Sequence, residues 1–171
     1  MRFLGIVGAL ALALVLQTTV AHFVVRGTAA VDLVLVVVVY VGLSFGPTSG
    51  LLAGAAAGLA QDTLSIGIIG IGGLAKTVVG YATGLLGALF IVAKPGARFV
   101  VFYLATILHA VIFMGGYELL GLRDFGAPYS GVASQALVNA LVGSVAFHVI
   151  ELLPGAMERR AANRGMRMRR R

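Results

Sequence analysis

Asp62 and Lys76 each stand alone between apolar runs of the 171-residue chain. A charge deep in hydrocarbon costs about 2.5–3.5 kcal/mol on insertion scales, so an acid and an ammonium in such surroundings either neutralise each other or serve a function. The functions open to this pair are proton handling or the holding of a small polar ligand. The structural alternative is an intramembrane ion pair that clamps the third helix of the chain to the fourth. The three histidines, His22, His109 and His148, are isolated from one another and from any carboxylate cluster. His148 and Glu151 can share a helix face, but two ligands do not make a metal site. Helix packing or an interfacial position is the expected role of each histidine. Gln17, Gln135 and Asn139 are sparse enough to serve as interhelical hydrogen bonds. With no cysteine in the chain, disulfides, thiolate metal sites and cysteine nucleophiles are excluded. The glycines of Gly67–Gly73 lack the strand–helix–strand context of a dinucleotide loop, and the sequence offers no nucleophile–base pair or Walker loop. Neither catalytic residues nor a metal or cofactor is expected, and the chain reads as a non-enzyme.

These few polar groups sit in a strongly apolar chain. Hydrophobic residues make up 60% of it and charged residues 11%, with a mean hydropathy of +1.03. A soluble domain of this size needs more polar side chains to cover its surface. The class is an all-α integral membrane protein. The 13 Lys and Arg residues outnumber 6 acidic ones, and the excess is concentrated in a tail carrying Arg159, Arg160, Arg164, Arg167, Arg169, Arg170 and Arg171. That tail lacks the aromatic interleaving of a nucleic-acid module, so nucleic acid is not an expected partner. Beside a membrane helix each Lys or Arg adds about 1 kcal/mol of attraction to anionic lipid. Contact with membrane lipids is its expected role.

The elements that must position Asp62 and Lys76 are a compact bundle of about six transmembrane helices. Spans are expected at about 3–25, 33–45, 48–62, 70–93, 99–122 and 131–153, forming one domain over 1–153 with a basic cytoplasmic tail over 154–171. The first span is long enough for a ~30 Å hydrocarbon core. It is too long an apolar core for a cleaved signal, and no small-x-small site follows it. The valine-rich run Leu33–Phe45 would read as a strand in water, but a lone strand in lipid cannot satisfy its backbone. Pro47 suits the first turn of the next helix. Thr63–Ala75 is either an irregular connection or the opening of the fourth helix. Lys94–Arg98 reads as a loop, and Pro154-Gly155 as the stop of the sixth helix. Basic residues in short loops mark the cytoplasmic side. The Lys94/Arg98 loop and the tail lie two spans apart and agree, which puts both termini in the cytoplasm.

Glycines recur every four residues at Gly42, Gly46, Gly50, Gly54 and Gly58, and again at Gly80 and Gly84. Small residues at that spacing let helix backbones approach closely in lipid, where packing drives association. Two uses are open: packing among the chain's own helices, or a groove for another protein's transmembrane helix. In the second, Gly46, Gly50, Gly54, Gly58, Gly80 and Gly84 form the partner face, with Asp62 and Lys76 fixing the helix pair behind it.

The stretch Asp32–Gly87 resembles the rod shape-determining protein MreD family. Asp32-Leu33, Gly46-Pro47, Gly50-Leu51, Gln61-Asp62, Gly73 with Lys76, and Gly80-Tyr81 carry the likeness by order and spacing. Val31, where proline often stands, and Ser44-Phe45, where basic residues often stand, depart from it. The resemblance implies a non-enzymatic subunit of the bacterial cell-elongation machinery in the inner membrane. Its implied partners are MreC, a RodA-type glycosyltransferase, a class B transpeptidase and MreB. The family also resembles the substrate-binding subunits of energy-coupling-factor transporters in fold. That likeness implies an alternative, a vitamin-type binder of a small molecule around Asp62 and Lys76.

Overall fold

The computed structural model describes residues 2–23, 31–65, 68–89, 94–123, 125–126 and 129–168, with side chains from 4–19 in the first stretch and 129–152 in the last. The described residues form six helices and no strand: α1 (Arg2–Phe23), α2 (Leu33–Phe45), α3 (Pro47–Leu64), α4 (Ile71–Leu89), α5 (Pro95–Leu119) and α6 (Tyr129–Met168).

The valine-rich segment is the centre of the bundle. β-Branched side chains weaken an isolated helix slightly, but here Val34, Leu35, Val36, Val38, Val39 and Val41 are all buried. α2 touches every other helix, and an all-round apolar helix is one surrounded by neighbours. One core cluster joins Leu35, Val36 and Val39 to Val79 of α4, Phe102 and Ala105 of α5, and Ala140 and Phe147 of α6. A second joins Val34, Val38 and Val41 to Leu10 and Ala13 of α1 and Ala53 and Ala57 of α3.

Outside, the pattern inverts. Leu12, Leu52, Leu74, Leu104 and Leu141 are each more than half exposed, a surface suited to hydrocarbon rather than water. Pro95–Leu119 and Tyr129–Leu152 are long and apolar enough to cross a membrane.

Pro47 opens α3, as expected, behind Gly46, whose φ of 91° makes the sharp turn from α2. The stretch after Asp62 divides: α3 runs to Leu64, and α4 starts at Ile71. Two boundaries differ from the sequence reading. Arg98 lies inside α5, which Pro95 opens, because proline is pre-set for a first helical turn. Pro154-Gly155 does not stop α6, which continues to Met168. A proline inside a helix loses the hydrogen bond to the carbonyl four residues back and crowds that carbonyl with its ring, but the Ala, Met, Glu and Arg residues that follow are strong helix formers.

Candidate functional site

α2 has 13 residues, a length of ~20 Å at ~1.5 Å per residue. Its first turn is buried among the other helices rather than emerging at the surface. The free N–H groups of a helix start need acceptors, and inside a bundle only side chains can supply them. Asp32, 6% exposed, is the N-cap, its Oδ1 accepting from Leu35 N at 2.9 Å. Gln17 of α1 accepts from Leu33 N at 2.8 Å through Oε1 and donates from Nε2 to Val31 O at 2.9 Å. Asn139 of α6, fully buried, accepts from Asp32 N at 3.0 Å and donates to Thr106 Oγ1 of α5 at 3.3 Å.

This cap leaves a carboxylate inside the protein, and Lys76 of α4 meets it. Lys76 Nζ lies 2.9 Å from Asp32 Oδ2 and 3.2 Å from His109 Nε2 of α5. Lys76 is 3% exposed and His109 9%. With an ammonium donating to Nε2, the imidazole proton belongs on Nδ1. The ring stacks on Phe113, centroids 5.8 Å apart.

The intramembrane ion pair expected between Asp62 and Lys76 is therefore replaced by one between Asp32 and Lys76. Asp62 is engaged elsewhere, its Oδ2 accepting from Gly70 N at 2.8 Å and Gly73 N at 2.9 Å. Leu74 N bonds Gly70 O, so Gly70, at φ 113°, occupies the cap position of α4 but has no side chain to fill it. Asp62 of α3 provides that cap from across the helix pair, where a carboxylate also suits the positive end of the helix dipole. Lys76, a turn further along α4, faces α2 and α5 instead.

Five of the six glycines expected to receive a partner lie in a seam inside the chain. A Cβ on Gly50 would overlap the backbone of Gly80, one on Gly54 the carbonyl of Lys76, and one on Gly58 the backbone of Gly73. Gly84 abuts the backbone of Pro47, and Gly42, outside that set, abuts Gly80 and Thr83. The faces of α3 and α4 are filled by each other, which overturns the groove at Gly50, Gly54 and Gly58. Gly46 belongs to the turn, with nothing within 4 Å of an added Cβ.

At the other end of the bundle, Arg98 of α5 holds Glu151 of α6 in a two-pronged ion pair, 2.7 Å from Nη1 and 2.6 Å from Nη2. The guanidinium lies 4.0 Å from the centroid of the Phe147 ring. Such planar pairing favours arginine over lysine. Glu151 thus faces Arg98, and His148 is exposed; the side chain of His22 is outside the described residues. Among the described residues no group of three or more potential ligands could hold a metal ion. Arg159, Arg160, Arg164 and Arg167 lie on the extension of α6 with side chains outside the described residues, as are Arg169, Arg170 and Arg171 altogether.

Sequence reasoning carried Asp32 only in the Asp32-Leu33 element of the family likeness and gave it no part in the buried ion pair. An aspartate directly before an apolar run is nonetheless a helix-start signal, and it identifies the cap. The pairing with His109 had no local signal, while the bridging roles of Gln17 and Asn139 agree with expectation.

A protein-family model described as rod shape-determining protein MreD matches residues 1–153. No curated protein and no solved structure matches the chain.

Proposed function

Since the chain belongs to the rod shape-determining protein MreD family, we propose that it is a non-enzymatic scaffold of the cell-elongation machinery, embedded in the bacterial inner membrane. Family membership itself gives a role in rod shape determination. The scaffold reading is carried by one observation: the buried charges are spent on fastening helices. Asp32 and Asp62 cap α2 and α4, and Lys76 ties α4 to α2 and α5. A vitamin-type binder would aim these groups at a ligand cavity. The described residues that line the two hollows by α5 and α6 include none of them.

Six crossings with both termini in the cytoplasm fit this arrangement. Alternating helices bring Gln17, Asp32, Asp62, Lys76, His109 and Asn139 to one end of the bundle. The same alternation brings Lys94, Arg98 and the arginine tail to the other, the basic side that faces the cytoplasm. The tail arginines contact anionic lipid there.

The transmembrane helix of an MreC-like partner packs on the outer surface of the bundle, because the glycine seam is occupied. The RodA-type glycosyltransferase, the class B transpeptidase and MreB belong to the same assembly. Photo-crosslinking residues placed singly at exposed Leu12, Leu52, Val78, Leu104 and Leu141 should capture the MreC-like protein from one side of the bundle. The same probe at buried Ala57 should capture none. Capture from Ala57, or from no exposed position, would overturn the outer-surface assignment.

A further inference from the structure

Ile107, Val111, Met114 and Glu118 of α5 recur at three- and four-residue spacing and so share one face. It is opposite the face that carries Phe102, Thr106 and His109 inward. Between it and the start of α6 lies a hollow of about 250 Å³, lined by Ala110, Val111 and Met114 on one side and Tyr129, Val132 and Ala133 on the other. Val111 and Tyr129 are 63% and 79% exposed, so the hollow opens to the bundle's surroundings. Further along the same face, an open hollow of about 670 Å³ is lined by Glu118, Gly121, Leu122, Arg123 and Gly126. Glu118 and Arg123 are both exposed, and among the described residues neither forms a salt bridge. The Arg123 guanidinium lies 4.9 Å from the centroid of the Phe125 ring. An apolar slot thus runs along α5 toward a polar bay whose described residues include the charged Glu118 and Arg123.

We propose that the two hollows together bind one zwitterionic phospholipid of the phosphatidylethanolamine type. One acyl chain lies in the slot between Val111, Met114 and Val132. The phosphate meets Arg123, a donor geometry that suits phosphate oxygens, and the ammonium meets Glu118. Tyr129, at the mouth of the slot, has the amphipathic ring that favours the headgroup level. A phospholipid with a phosphate but no ammonium satisfies Arg123 and leaves Glu118 repelled. The site rests on α5 and α6 crossing the membrane.

The test is native mass spectrometry of the full chain released from nanodiscs of mixed phosphatidylethanolamine and phosphatidylglycerol. One phosphatidylethanolamine should stay bound per chain, preferred over phosphatidylglycerol by about fivefold, the ratio a single exposed ion pair can supply. Arg123→Ala should weaken retention of both lipids by about fivefold, Glu118→Gln should abolish the preference, and Val132→Trp should empty the slot. Unfolding midpoints unchanged from the parent would show that these surface variants are folded. Equal retention of the two lipids by the parent, or undiminished retention in Arg123→Ala and Val132→Trp, would overturn the site. So would a photo-crosslinker at Val132 that captures a second copy or another protein and no lipid. Release of the chain from membranes by alkaline carbonate would overturn the membrane reading together with the site, which separates the two failures.

Discussion

Lys76→Met should destabilise the bundle by about 3–5 kcal/mol, the cost of leaving a buried carboxylate without its partner. Asp32 cannot turn to water, because its other oxygen is fixed on Leu35 N and its own N–H on Asn139. His109 then loses its donor as well. Adding Asp32→Asn should restore most of the loss. Asparagine caps a helix about as well as aspartate, and methionine fills the space of the lysine stem without a charge. Thermal unfolding of the single and double variants in one detergent measures the effect. A double variant as unstable as Lys76→Met would contradict the lock between Asp32 and Lys76.

Gly54→Leu should prevent the folded bundle from forming, and Gly54→Ala should already cost about 1–3 kcal/mol, the range for overpacking. The added Cβ meets the carbonyl of Lys76 and the amide of Thr77. Those atoms belong to a helix backbone and cannot swing aside as a side-chain end can. Gly8→Ala is the control. Nothing lies within 4 Å of that position, and alanine favours a helix over glycine by about 0.5–1 kcal/mol. The yield of monodisperse protein and its unfolding midpoint should fall steeply for Gly54 and stay level or rise for Gly8. Tolerance of leucine at Gly54 would contradict the seam.

These two predictions also mark where sequence reading succeeds and where it stops. The small-residue ladder of α3 is legible because a four-residue period fixes a face of a helix. What fills that face is not legible: a flat stripe accepts a neighbour in the same chain or a foreign helix equally well. Here α4 fills it, through glycines of its own. The helices themselves followed from apolar length and from Pro47, and the shortest of them agreed at both ends, Leu33 and Phe45.

The charge partners were misassigned for a physical reason. Asp62 and Lys76 flank one connection, and nearness in sequence suggested contact. Helix starts, however, demand acceptors for their free N–H groups, and that demand took Asp62 for Gly70 and Gly73. It also placed Asp32 inside the protein, where a charge must find a cation. Lys76 was the buried cation within reach. Pro154 misled in the opposite sense, because a local breaker was outweighed by the helix-forming residues beyond it.

The most direct measurement of the scaffold role is cell shape. In rod-shaped cells lacking the native protein, the chain carrying Asp32→Asn with Lys76→Met should restore rods once its insertion and unfolding midpoint match the parent. A scaffold needs the helices held, not the charges that hold them. A double variant that is inserted and stable yet leaves the cells round would contradict that role, because the buried charges would then be serving a function of their own.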